Sequence, residues 1–304
     1  MQFNLITILG PTAVGKTSLA AKLAHRFNGE IISADSRQVY RKLDIGTGKD
    51  LADYNVNGDP VLYHLIDVAS PNEEFNLFRF NKLFYEAFDL IEQNNKVPFL
   101  VGGTGLFLYS VLKGYDLKEV DFNTPRFTEL EKTDLDELTH LLKQINPALH
   151  NTTDLLIKER IIKAIMIAEA EALHKQVERK IINSLVIGVK MEKEDIKSSI
   201  TRRLKQRLDE GMVEEVEKLV EESVTYEKLL FWGLEYKFIG MYLKGELNYN
   251  DMFQKLNSSI HKFAKRQMTW FRKMEREGIT IHWLDGPDFE KASEIIENKY
   301  FNNA

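Results

Sequence analysis

The stretch FNLITILGPTAVGKTSLAAKLAHRF (3–27) constrains the fold more than any other part of the chain. Its first seven residues are an apolar run that ends in glycine, as a buried parallel strand does. Residues 16–27 then carry apolar side chains at helical spacing. Between the two, GPTAVGKT (10–17) matches G-x-x-x-x-G-K-[ST], with the strand before and the helix after that give the pattern meaning. Glycine lets the backbone wrap so that its N–H groups point inward, and the start of the helix adds its positive end. Lys16 supplies a mobile charge, and the Thr17 hydroxyl is placed to ligate Mg²⁺. Gly10, Pro11, Thr12, Ala13, Val14, Gly15, Lys16 and Thr17 are therefore expected to cradle a phosphate group. The bland alternative, a chance match in a glycine-rich turn, does not account for the flanking strand and helix.

The same alternation continues. EIISA (30–34) reads as a second strand and VPFLV (97–101) as a third, running into Gly102-Gly103. A long helix is expected over 77–94, with Leu77, Phe80, Phe84, Phe88 and Ile91 on one face. Strands alternating with helices predict an α/β fold, a P-loop NTPase-like parallel sheet flanked by helices. From about 118 to 183 the chain becomes charged and helical, with helices expected near 134–145 and 154–181. It reads as a helical insertion domain (118–183) between two parts of a catalytic core, 1–117 and 184–304. LVIGVKM (185–191) returns to the sheet, helices follow near 195–210, 212–222 and 249–277, and IHWL (281–284) is a last strand.

Composition narrows the function. The chain has 304 residues, so it can bury a full core without metal or disulfide support. It has no cysteine, which excludes thiol catalysis, disulfides and cysteine-ligated zinc and is compatible with a reducing, cytoplasmic setting. No apolar run approaches the ~18 residues of a membrane span. MQFNLITILG lacks a basic leader and reads as a strand, not an export signal. The net charge is −5, so any nucleic-acid site has to be a local basic patch. A monomer is expected.

A phosphate loop names a ligand, not a reaction. An NTPase would usually add an apolar strand ending in a metal-binding acid. VPFLV ends in Gly-Gly-Thr instead, and HLID (64–67) is a weak substitute. In EIISADSRQVYRKLDIGTGK (30–49), Asp35 and Ser36 stand just past a strand's C-terminal end, the edge where ligands sit in open α/β sheets. A carboxylate there can bind Mg²⁺ or act as a base. It can equally cap a short helix over 37–41, and the stretch alone leaves both roles open.

GPTAVGKT, DSRQVYRKLDIGTGK (35–49), YHLIDVASPNEEFNLFRF (63–80), PFLVGGTGLFLYSVLKG (98–114) and AKRQMTWFR (264–272) occur in this order. Together they resemble the tRNA dimethylallyltransferases, also called tRNA isopentenyltransferases, over most of 1–115 and roughly 185–285. The resemblance implies that the loop holds the diphosphate of dimethylallyl diphosphate. The allyl group would pass to the exocyclic amine of adenosine 37, next to the anticodon of a tRNA. It implies Asp35 as the base that takes the amine proton, Thr104 as a polar group in the same cavity, and Ser36 and Gln38 as contacts to the target base or its neighbours. It implies Mg²⁺ as cofactor and the anticodon stem-loop as partner. Phe107 and Tyr109 are candidates for an apolar wall, though core packing suits both.

SSIHKFAKRQMTWFRKMERE (258–277) places Lys262, Lys265, Arg266, Arg272, Lys273 and Arg276 on one helix face, with Phe263, Trp270, Phe271 and Met274 on the other. A solvated face paired with nearby glutamates is one reading. With the resemblance, contact to RNA or donor is expected, through Lys262, Lys265, Arg266, Gln267 and Arg272. In the insertion, Lys158, Arg160, Lys163, Lys175, Arg179 and Lys180 either grip the anticodon stem or form a solvated surface, and the resemblance favours the first, with Arg160 foremost.

The chain departs from the family pattern in three places. Lys163 stands where a second arginine is expected, and lysine cannot make a bidentate fork. Glu235 replaces a glycine in GLEYK (233–237), while Lys237 keeps a cation that would help hold the diphosphate. The linker after Gly114 is compressed. Other readings are an adenylate isopentenyltransferase acting on free AMP, ADP or ATP, a P-loop kinase of a small metabolite, and a catalytically weak RNA-binding protein. The basic helix and the insertion weigh against the first, GGTGLFLYS against the second, and the intact Lys16, Thr17 and Asp35 against the third.

Overall fold

In a computed structural model of the chain, residues 2–145, 157–173 and 180–302 are described. They divide into two compact units, Met1–Gly114 with Ile181–Ala304, and Tyr115–Lys180.

The first unit is built on a sheet. Its strands are β1 (Leu5–Leu9), β2 (Gly29–Ala34), β5 (Tyr63–His64), β6 (Val97–Gly102), β7 (Ser184–Lys190) and β8 (Ile281–Asp285), and a small hairpin, β3 (Asn55–Val56) with β4 (Asp59–Pro60), stands apart. Among the described residues the sheet order is β5-β2-β6-β1-β7-β8, and every pairing in it is parallel. Register aligns the ends: Gly102 sits opposite both Leu9 and Ala34, and Leu9 opposite Gly188. The residues that follow β1, β2 and β6, namely Gly10, Asp35 and Gly103, therefore emerge at one edge.

Period-two alternation splits the strand side chains between two faces. Ile6, Ile8, Ile31, Phe99, Val101 and Ile187 pack with Leu19, Ala20, Leu23 and Ala24 of α1 (Lys16–Arg26). Ala292 and Ile296 of α12 (Phe289–Ile296) join the same cluster. α2 (Leu77–Gln93) packs on β2 and β6 through Phe80, Phe84, Phe88 and Ile91, all fully buried. Asn76 caps it, its side chain accepting from the Arg79 N–H at 2.9 Å. Phe107, on α3 (Gly105–Leu112), stacks on Phe80 at 4.0 Å between centroids, so it belongs to the core and not to a ligand wall. Tyr109 likewise bonds the Glu277 carboxylate and packs on Trp270.

The second unit has α4 (Pro125–Lys132), α5 (Leu135–Ile145) and α6 (Lys158–Leu173) around a core of its own: Leu130, Leu138, Leu142, Ile161, Ile162, Ile165 and Met166. Arg126 braces it with a fork to Glu169, Nη2 at 2.6 Å and Nε at 3.3 Å. The expected helix over 154–181 is described at 158–173, and Lys175 and Arg179 lie outside the described residues.

In the C-terminal part, α7 (Lys193–Asp209), α8 (Met212–Glu221) and α11 (Tyr249–Arg276) follow the sequence periodicity closely. Two short helices, α9 (Tyr226–Trp232) and α10 (Leu234–Leu243), were not legible in it. They turn on Gly233 at φ 137°, a break inside what pattern alone leaves undivided. The helix considered over 37–41 does not form: that stretch is a turn ending at Tyr40, bridged to Ala69. Asp67, the weak Walker-type candidate, is paired to the buried Lys49 at 2.5 Å and so belongs to the scaffold.

Candidate active site

A cavity of about 780 Å³ opens at the aligned strand ends. Thr12, Ala13, Gly15, Lys16 and Thr17 line it from the phosphate loop, Asp35, Ser36 and Gln38 from the end of β2, and Gly103 and Thr104 from the end of β6. Gly10, Pro11 and Val14 of the loop are buried. Ala13 and Gly15 have φ of 66° and 77°, the alternating backbone that turns successive N–H groups toward one point. Lys16 Nζ lies 3.4 Å from the Pro11 carbonyl. Burial lowers its pKa to about 8, with Asp35 and Asp50 opposing and Arg203 and Arg207 adding to the shift.

The segment after β2 is tied to the segment after β6. The Ser36 N–H donates to Thr104 Oγ1 at 3.0 Å, and Asp35 Oδ1 accepts from the Arg37 N–H at 2.9 Å. Asp35 thus makes a local turn bond in place of a helix cap, while still lining the cavity. Gln38 accepts from Ser33 Oγ at 3.2 Å and donates to the Gly48 carbonyl at 2.8 Å.

Gln267 is among the residues expected to contact RNA or donor, and it lines the cavity. It is buried, at 5% exposure, and both ends of its amide are engaged. Oε1 accepts from the Thr12 N–H and Nε2 donates to the Gly103 carbonyl, each at 2.9 Å. A Cβ at Gly103 would stand 2.3 Å from Nε2, which is why the chain needs glycine there. Gln267 therefore clamps the phosphate loop to the end of β6.

The faces of α11 also divide differently from expectation. Phe271 and Met274 are buried, but Phe263 is 38% exposed, and it lines the cavity with Trp270. With Leu106 and Leu230, these supply the apolar wall that Phe107 and Tyr109 do not. Arg266 lines the cavity and lies 5.8 Å from the Phe263 ring. Lys262, Lys265 and Arg272 are exposed on the outer side. Among the described residues none of Lys262, Lys265, Arg266 and Arg272 has a carboxylate within ion-pair distance, while Lys273 reaches Glu277 at 3.9 Å. The alternative reading, a face paired with nearby glutamates, holds for Lys273 and not for these four. Lys237 lines the cavity. In the other unit, Arg160 is exposed and Lys163 pairs with Glu159 at 3.0 Å.

Sequence reasoning missed Arg203 and Arg207. Both line the cavity from α7. A signal existed: Ile200, Arg203, Leu204 and Arg207 share one helix face, placing two cations on an apolar stripe. Half-buried cations on an apolar face are steadied by a partner. Asp50 is that partner, 2.9 Å from Arg203 and 3.6 Å from Arg207. Glu235 lines the same region, and burial raises its carboxyl pKa, with Arg207 opposing.

Residues 38–274 match the family model described as IPP transferase, and residues 3–60 the one described as isopentenyl transferase. The chain belongs to the IPP transferase family. It is 52% identical over 298 residues to tRNA dimethylallyltransferase 1 of Geotalea uraniireducens, covering 97% of this chain and 98% of that one. Identity to tRNA dimethylallyltransferase 2 of Phocaeicola vulgatus is 49%, over 99% of both. Among solved structures, the full-length tRNA isopentenylpyrophosphate transferase of Bacillus halodurans superposes with a TM-score of 0.68 at 32% identity, over 99% of this chain and 96% of that one. A eukaryotic dimethylallyltransferase acting on tRNA shares the fold, with a TM-score of 0.78 at 24% identity over 99% of this chain and 80% of that one. The α/β sheet with its phosphate loop is therefore that of a prenyltransferase family.

Proposed function

We propose that this chain transfers the dimethylallyl group from dimethylallyl diphosphate to the exocyclic amine of adenosine 37 in tRNA, releasing diphosphate. The observation that carries the reading is one cavity in which phosphate-loop cations, a carboxylate and an apolar wall meet. Lys16, Arg203 and Arg207 face the loop side, Asp35 stands at the strand-end edge, and Phe263, Trp270 and Leu106 supply apolar surface.

The chemistry follows from those groups. As the amine nitrogen bonds to C1 of the allyl group, the C1–O bond breaks and its electron pair leaves with the diphosphate. Loop N–H groups, Lys16 and the arginine pair stabilise that departing charge. An adenine amine is a poor nucleophile because its lone pair is shared with the ring. Asp35 accepts its proton as the bond forms, and Thr104, bonded to the Ser36 backbone, holds that segment in place. Gln38 lines the same side, though its amide is committed to Ser33 and Gly48, so it shapes the pocket through its position.

The residues present fit Mg²⁺. Among the described residues no three carboxylates or imidazoles cluster as a dedicated metal cage. Mg²⁺ is commonly held by one or two protein oxygens together with substrate phosphates and water. The Thr17 hydroxyl, lining the cavity beside the loop, would be the protein ligand. Bound there, the ion would neutralise diphosphate charge.

The unpaired stripe Lys262, Lys265, Arg266 and Arg272 supports RNA as the acceptor over a free nucleotide, because a phosphate backbone rewards such a row and a single nucleotide does not. Arg160 and the unit Tyr115–Lys180 are read as a second RNA-binding element. No described helix is long and apolar enough to cross a membrane. Action as a monomer in the cytoplasm belongs to the same proposal.

The test is transfer from radiolabelled dimethylallyl diphosphate with Mg²⁺, offering unmodified tRNA and AMP or ATP side by side. Label at the adenosine after the anticodon is expected. Label in the free nucleotide alone would move the chain to the adenylate enzymes.

A further inference from the structure

The segment from Asp44 to Asp50 forms a strap along the cavity, which Gly46, Thr47, Gly48 and Asp50 line. Two backbone bonds close it on itself, Gly48 N–H to Ile45 O and Lys49 N–H to Asp44 O, both 3.1 Å. One carboxylate holds it from outside. Glu215, in the first turn of α8, accepts three consecutive backbone N–H groups: Asp44 at 3.1 Å and Ile45 at 2.7 Å on Oε2, and Gly46 at 3.1 Å on Oε1. Oε1 also accepts the Tyr236 hydroxyl at 2.6 Å. The Tyr236 ring presses on the strap: a Cβ at Gly46 would stand 2.7 Å from its Cζ.

Two residues further on, Gly48 serves both sides of the cavity. Its carbonyl holds Gln38. Its φ is 67°, and a Cβ there would fall 1.8 Å from Nη2 of Arg207, so the absent side chain is the space through which that arginine reaches the cavity. The strap ends at Asp50, which pairs with Arg203.

We infer that Glu215 is a positioning residue for the transfer: by anchoring the strap it holds Gly48 and Asp50, and through them Gln38 on one side and the Arg203–Arg207 pair on the other. Glu215 does not itself line the cavity. The inference rests on reading that cavity as the prenyl-transfer site. Three N–H groups converging on one anion make a directional anchor, and turning one of its oxygens into an amide nitrogen removes the charge and an acceptor from that anchor.

The test is a double-mutant cycle read by calorimetric binding of inorganic pyrophosphate, with melting temperature and transfer kinetics alongside. Glu215→Gln is expected to weaken pyrophosphate about tenfold in the wild-type background and less than about twofold when Arg207→Ala is already present. Equal weakening in both backgrounds would show that Glu215 only stabilises the fold, and would overturn the proposal. Gly48→Ala gives a second route that leaves the Glu215 carboxylate itself intact. It should match Arg207→Ala in pyrophosphate affinity and add little to it, and wild-type affinity in Gly48→Ala would also overturn the proposal. If the wild type binds pyrophosphate yet labels neither tRNA nor free nucleotide, the transfer reading fails while the coupling is still measured. A wild type that binds no pyrophosphate sinks both.

Discussion

At the scale of single residues, the proposed transfer gives Asp35 the side of bond making and Lys16 that of bond breaking. Asp35 keeps a turn bond to Arg37 and still lines the cavity. Asp35→Ala should lower single-turnover transfer by about 10²–10⁴-fold while pyrophosphate binding persists. Equal loss of binding would make Asp35 a metal or structural group. Lys16 behaves differently because burial has brought its pKa down to about 8 from the ordinary 10.5. Diphosphate favours the charged amine, so affinity is fullest below about 8 and falls as the pH rises through it. Calorimetry across that range should show a fall in the wild type beyond any in Lys16→Met. The comparison cancels the ionisation of pyrophosphate itself. Parallel profiles would remove Lys16 from the phosphate site.

At the scale of elements, α11 carries three roles on one helix. Phe271 and Met274 anchor it in the core, Gln267 clamps the loop, and Lys262, Lys265, Arg266 and Arg272 stay without ion pairs. Charge reversal at Arg272, away from the cavity, should weaken tRNA binding and lower the magnitude of its salt slope by about 0.7–0.9 per lost phosphate contact. Wild-type affinity and slope would take the stripe out of the interface. On α2, Phe80→Ala removes a ring stacked on Phe107 at full burial. It should cost about 3–5 kcal/mol by denaturant unfolding, and a change under about 1 kcal/mol would mean the site collapses around the gap.

At the scale of the molecule, the parallel sheet brings the ends of β1, β2 and β6 to one edge, and the cavity forms there. Because only the folded state assembles the loop, Lys16 and the arginine pair, pyrophosphate with Mg²⁺ should raise the melting temperature. At about a hundred times Kd the linkage amounts to about 2.7 kcal/mol. A chelator should reverse most of the gain, and an unchanged shift would show that the anion binds without the metal.

What the sequence by itself determined is whatever closes over a short span of chain. The phosphate loop fits in eight residues, with its strand and helix adjacent. Asp35 follows directly on β2, and the long helices announce themselves by period. The breaks at Gly233 and the turn over 37–41 were less legible, because one glycine or one side-chain bond decides them locally against propensity. What only the tertiary structure decided is which distant side chains share the cavity. Gln267 meets Thr12 across 255 positions, Arg203 meets Asp50 across 153, and Glu215 meets Asp44 across 171. Such pairings leave no spacing to read in a single chain. They arise because a parallel sheet gathers remote strand ends at one edge and packs the later helices against them, where a buried charge or amide has to find its partner.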